Sequence, residues 1–222
     1  MHKLLISSVF TFAIIACSHA SSGDSMKSDA LHTAAARNDV AQITQLLAQK
    51  ISIDARDASG ATALLVATHE NHVAAAQALI NAGADVNAKD HIQDSPYLYA
   101  GARGHLKILN MTLQHGADLK SINRYGGTAL IPAAERGHVE TVEALIKAGV
   151  EVDHINNLGW TALMEAVILG DGGQRHQDIV HLLINAGANV NIPDREGVSA
   201  LVHAKALGYS KIEKALLTAG AK

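Results

Sequence analysis

Glycines at positions 83, 116 and 149 are spaced by 33 residues, and Gly187 and Gly220 follow at spacings of 38 and 33. A period of this length constrains the chain more than its composition does, because a unit of 33 residues is too small to close a core of its own. The same offsets recur around each glycine. An apolar pair precedes it at Leu46-Leu47, Leu79-Ile80, Leu145-Ile146, Leu183-Ile184 and Leu216-Leu217, with Thr112-Leu113 as the weakest copy. Further upstream each copy carries a residue suited to capping a helix: Asp29, Thr62, Ser95, Thr128, Thr161 and Ser199. Such a side-chain oxygen accepts from a free amide of the first helical turn, worth about 1 kcal/mol.

Each cap opens a short apolar segment such as Thr62-Ala63-Leu64-Leu65-Val66-Ala67, then comes a break, then a second segment with apolar residues three and four apart, as in Val139, Val142, Leu145 and Ile146. That periodicity predicts two antiparallel helices per unit. The break carries Asn71-His72, Gly104-His105 and Gly137-His138, and the closing glycine suits the left-handed residue that ends a helix. Lys50 stands in that place in the first unit, at a local cost. With one Trp, four Tyr and two Phe in 222 residues, large rings cannot build the core, so small-residue packing between stacked units must.

These residues resemble the ankyrin repeat, whose 33-residue period, helix-turn-helix unit and Gly-Ala-Asp-Val-Asn-like endings match Gly83 to Asn87 and Gly187 to Asn191. The resemblance implies an all-α solenoid of about six units joined by β-hairpin loops, over 29–56, 57–89, 90–122, 123–155, 156–193 and 194–222. This chain departs from the family pattern in its first helices. Ala63, Ala129, Ala162 and Ala200 replace the proline kept at Pro96, and Leu65, Leu98, Ile131, Met164 and Val202 replace the histidine kept at His32. Pro132, one turn into its helix, removes one backbone hydrogen bond.

The first residues read differently. Residues 4–16 form an apolar run behind Met1-His2-Lys3, too short to cross a bilayer comfortably, and resemble a secretory signal. Ile14-Ile15-Ala16-Cys17 resembles a bacterial lipobox, which implies cleavage before Cys17, the only cysteine, and acylation there. Ser18-His19-Ala20 offers a rival, unlipidated cut after Ala20. Acyl chains contribute about 0.8 kcal/mol per buried methylene, enough for near-permanent membrane attachment. Residues 17–28 then read as a flexible tether, and the location as the periplasm, lipid-anchored to the outer membrane.

Chemistry is sparse. No GxSxG, GxGxxG, P-loop, CxxC or Cys/His dyad is present, and His69-Glu70-Asn71-His72 is not HExxH. His72 falls in register with the turn histidines His105 and His138, so neither metal nor cofactor is expected. Glu140 and Glu143 fall on the solvent side of a second helix. A net charge of -3 leaves no basic excess for nucleic acid. In ankyrin proteins contacts come from hairpin tips and inner helices. Carried onto this chain, the resemblance implies a protein partner on the concave face, held by His91, Ile92, Arg103, Arg124, Tyr125, Glu135, Arg136, Asn157, Leu158, Trp160, Ile168 and Leu169. These combine the aromatic, aliphatic and Arg character of binding hot spots. Trp160 has a second reading, as packing against the next hairpin.

The expectation is a non-catalytic interaction protein, monomeric when unbound, serving as an inhibitor, immunity or regulatory protein for a secreted or envelope enzyme. Two alternatives stay open. One is an enzyme or accessory subunit using Asp171, His176 and Asp178 beside the inserted Asp171-Gly172-Gly173-Gln174-Arg175; the other is an envelope scaffold. The insertion either lengthens the binding ridge or is a neutral loop.

Overall fold

The computed structural model describes the backbone of residues 16–222 and the side chains from Met26 onward. The apolar run of the expected leader up to residue 15, and the Cys17 thiol, lie outside the described residues. Twelve helices follow in pairs: α1 (Ala16–Ala36) and α2 (Val40–Leu47), α3 (Ala63–His69) and α4 (Val73–Asn81), α5 (Pro96–Arg103) and α6 (Leu106–Gln114), α7 (Leu130–Glu135) and α8 (Val139–Ala148), α9 (Ala162–Ile168) and α10 (Gln174–Asn185), α11 (Ala200–Ala206) and α12 (Ser210–Thr218). Odd-numbered helices pack in one row and even-numbered helices in a second, each touching its neighbours in sequence order. One continuous core runs between the rows, built from alanines such as Ala67, Ala100, Ala133, Ala166 and Ala204 and from Leu79, Ile108, Leu145 and Ile179. Small residues at the helix contacts let neighbouring helices of a row approach closely; at Gly101 an added Cβ would stand 2.8 Å from that of Ala129.

The capping residues divide. Thr62, Ser95 and Thr161 accept from Leu65, Leu98 and Met164 amides, as the spacing predicts. Thr128 does not, and Pro132 is the reason. In the other units the residue four beyond the cap donates to the cap's carbonyl, as Val66 does to Thr62 and Tyr99 to Ser95. Pro132 has no N–H, so the Ile131 amide turns to the Thr128 carbonyl, at 3.3 Å, and the Thr128 hydroxyl is left buried without a partner. The Ser199 hydroxyl is also buried without one.

The first unit corrects two expectations. Asp29 caps nothing: its carbonyl accepts from the Thr33 hydroxyl inside α1, which starts at Ala16. Residues 17–28 therefore continue the helix in place of a flexible tether, because Met26, Lys27, Ala30 and Leu31 are good helix formers and nothing stops the helix at Ser28. Lys50 adopts φ +56°, the left-handed conformation that glycine takes in later units. Leu65, Leu98, Ile131 and Met164 are buried, whereas Val202, in the sixth unit, is exposed. His32, retaining the family histidine, bonds through Nε2 to the Ala61 carbonyl of the next unit at 3.0 Å.

The hairpin loops are turns without strands among the described residues, apart from one bridge between Pro193 and Ser199. A side chain does the work of the ladder. Asp57, Asp90, Asn123, Asn156 and Asp194 each accept, through one side-chain oxygen, the amides two and four residues on.

Candidate functional site

Two sets of contacts lock neighbouring units together. At the tips, the His91 and Asn157 amides donate to the Ser59 and Tyr125 carbonyls of the preceding loop. Their side chains cover Gly60 and Gly126, where an added Cβ would lie 2.6 Å from His91 and 2.4 Å from Asn157. At the turns, His72, His105 and His176 each place a ring nitrogen on a carbonyl at the end of the preceding inner helix: Ala36 at 3.0 Å, Thr68 at 3.0 Å and Glu135 at 2.9 Å. Tyr209 takes this place in the last unit, its hydroxyl donating to the Gly170 carbonyl at 2.9 Å. Burial holds His105 and His138 below the ordinary imidazole range, so both are neutral near pH 7.

Between the tips and the inner helices of the second to fifth units runs a groove of about 600 Å³. One wall is a row of tip residues, Ile92, Tyr125 and Leu158, whose exposures are 51%, 57% and 50%. The other carries Ala102, Arg103, Glu135, Arg136 and Leu169 at the ends of the inner helices. Its floor is ionisable. Asp94 lies 3.7 Å from Arg124, and burial still holds its carboxyl above the usual range. Glu165 is 5% exposed; burial, reinforced by the charge of Glu135, pushes its carboxyl up to about 7 against a hydrogen bond from Asn156 Nδ2 at 2.7 Å. The arginines are engaged along the walls: Arg103 lies over the Tyr99 ring, Arg124 over Tyr125, and Arg136 donates to the Ala102 carbonyl at 2.6 Å.

A family model described as ankyrin repeats in three copies matches residues 4–90 and 97–194. The chain belongs to the ankyrin-repeat family. It is similar to the crystal structure of an ankyrin repeat domain from Acinetobacter baumannii AYE, with 67% identity over 86% of this chain and 98% of that one and a TM-score of 0.85. An ankyrin repeat protein designated EF0377 follows with 45% identity, 86% and 97% coverage and a TM-score of 0.82. The ankyrin repeat domain of Bcl-3, a member of the IκB protein family, shares 26% identity over 87% and 86% of the two chains at a TM-score of 0.78. Among curated proteins, the putative ankyrin repeat protein YahD of Escherichia coli K12 is 40% identical over 57 residues, 26% of this chain and 28% of that protein's length. Ankyrin repeats are interaction modules, typically non-catalytic, and generally bind protein partners.

Within this ankyrin array the residues singled out from the sequence separate into two groups. Ile92, Arg103, Arg124, Tyr125, Glu135, Arg136, Leu158 and Leu169 line the groove together. His91 and Asn157 belong to the stacking of the tips, and Trp160 and Ile168 are half-buried against the core, outside the groove lining. His69 and Asp94, inner-helix and hairpin-tip positions of the kind the resemblance points to, also line it, and so does Glu165, for which the sequence holds a separate signal. Its position, nine residues after the loop Asp/Asn, carries Val66, Tyr99, Pro132, Glu165 and His203 in successive units, and at the last two the loop residue answers it. Asn156 donates to Glu165, and Asp194 pairs with His203 at 2.7 Å, which holds the aspartate below its usual range.

The insertion has a structural use. Asp171 accepts from the Gly173 amide at 2.8 Å just before α10 and holds His176 Nδ1 at 2.7 Å, while Asp178 accepts from Gln174. Both His176 nitrogens are therefore occupied, and the ring acts as a clamp. His69, Asp90 and Asp94 place one donor atom each within 4.8 Å of one another. Arg124 already compensates Asp94, and Asp90 Oδ1 already takes two amides, so this trio is less suited to a cation than its composition suggests.

Proposed function

We propose that this chain is a non-catalytic ankyrin protein of the bacterial envelope that holds a partner protein in the groove between its tips and inner helices. It acts there as an inhibitor, immunity or regulatory protein for a secreted or envelope enzyme. The observation that carries the reading is the row Ile92, Tyr125 and Leu158, about half exposed, whose side chains face arginines across a groove. A frame residue is explained by the contacts it makes within the array. An exposed aliphatic or aromatic row beside Arg is the composition of an interface centre. The envelope location is supported by the apolar run over 4–16 and by Cys17, which would anchor the array to the outer membrane through acyl chains. Among the described residues no helix is long and apolar enough to cross a membrane.

The test is capture from envelope extracts by the purified array, comparing wild type with Tyr125→Ser and Leu158→Ser. Both variants should lose the captured protein while keeping the wild-type unfolding transition, and equal capture by all three would remove the groove from the reading. Labelled fatty acid should enter the native protein and not Cys17→Ala; a native protein without label would point to the cut after Ala20.

A further inference from the structure

Glu165 is a groove acid whose second carboxylate oxygen finds no donor among the described residues. Asn156 satisfies Oε1, and no group among the described residues donates to Oε2. Among the described residues, the elements packed around it bring no cation into contact with it. On α7, Glu135 opposes its charge, and Arg136, whose guanidinium donates to the Ala102 carbonyl, offsets that only in part. On α11, His203 is held by Asp194, and on α10, His176 is held by Asp171 and the Glu135 carbonyl. The Arg103 and Arg124 guanidinium groups lie over tyrosine rings at the walls. A carboxyl so placed costs the fold free energy whenever it is ionised. Asparagine in the loop position, where three of the five loops carry aspartate, supplies an N–H to Glu165 and keeps the carboxyl turned toward the groove.

We propose that the groove receives a basic side chain of the partner, an arginine or lysine flanked by apolar residues, with its cation on Glu165 beside Glu135. The flanking residues then rest on Leu158 and Tyr125 on one side and Leu169 on the other. The inference rests on the groove being the partner surface and adds what the partner must present there. Charge complementarity at this spot favours a cation: an acidic or neutral segment would leave Glu165 facing Glu135 with only the Asn156 hydrogen bond and the charge of Arg136 in its favour. Seating the cation ionises Glu165, so binding releases a proton below neutral pH and strengthens as pH rises through 7.

Propylguanidinium is the probe, with uncharged propylurea of the same shape as control, added to the full array while the Glu165 carboxyl carbon is followed by NMR. Propylguanidinium should shift that resonance saturably and lower the midpoint of its titration below 7, and propylurea should do neither. Glu165→Gln should bind the probe about tenfold more weakly, the size of one charge-assisted hydrogen bond. Equal responses to the two probes, or no saturable response at Glu165, would overturn the proposal. Envelope capture separates this failure from that of the wider reading. Capture lost in Leu158→Ser and retained in Glu165→Gln would keep the groove and discard the cation seat, whereas capture unaffected by either would discard both.

Discussion

The turns and the groove are made of the same residue types and differ in what is left over. At the turns, His176 has Asp171 on one nitrogen and the Glu135 carbonyl on the other, and Tyr209 repeats the clamp one unit later. In the groove, Glu165 has one partner where it has room for more, and the His69 Nε2 is buried with none. A polar group whose bonds close within the array stabilises the array. One whose bonds do not close lowers stability and raises affinity for whatever closes them. The turn therefore belongs to folding, and under the proposed reading the groove belongs to recognition, although both hold histidines and carboxylates.

The largest test of this contrast is Glu165→Gln. The folded-state value of about 7 lies above the unfolded value near 4.5, so between these limits the native state binds more protons and stability falls as pH rises. The stability of the wild type relative to the variant should fall by up to about 3 kcal/mol from pH 4.5 to above 7, leaving the variant the more stable at pH 8; His105 and His138, held below the ordinary range, contribute the opposite slope equally to both. Urea unfolding at the two ends of the window measures it; parallel profiles would show that Glu165 is not strained. Next comes the clamp. His176→Ala should cost roughly 1 kcal/mol at neutral pH, because it strips the part-buried Glu135 carbonyl of its partner, and no measurable change would mean that the turn is not held by it.

Pro132→Ala should raise stability by about 1 kcal/mol by returning an N–H to the Thr128 carbonyl and freeing the Ile131 amide for the Thr128 hydroxyl. Calorimetry reads the gain, and a loss would show that the proline is optimal for the contact between α7 and α9. Smallest is Arg103→Ala, expected within about 0.5 kcal/mol of wild type in unfolding while partner capture weakens, since its cation-π contact is exposed. A large destabilisation would move Arg103 from the groove to the frame.

How far these parts were legible differs for a physical reason. Period, helix pairs and turn histidines follow from short-range spacing, and Thr62, Ser95 and Thr161 cap where the pattern places them. Thr128 fails because a residue four positions on withdraws a donor, which the sequence shows as Pro132 without showing where the Ile131 amide would go. Asp29 fails because a helix propagates through it. Among site residues, Tyr125 and Leu158 were readable as exposed variable positions. His91 and Asn157 looked equally variable, yet each lies against a loop glycine one unit back. Glu165 was passed over because it sits inside a frame segment, Thr161-Ala162-Leu163-Met164-Glu165-Ala166, whose neighbours are all buried.

The sequence by itself determined that this protein is a stack, how many units it has, where each helix turns back, and that its core is made of small residues, because those properties are periodic and local. Only the tertiary structure decided which polar groups are spent. That depends on distances across 29 to 41 residues, such as His32 to Ala61 and His176 to Glu135, where one unit's side chain meets another unit's carbonyl. A carboxylate left without such a meeting looks the same in the sequence as one that has it.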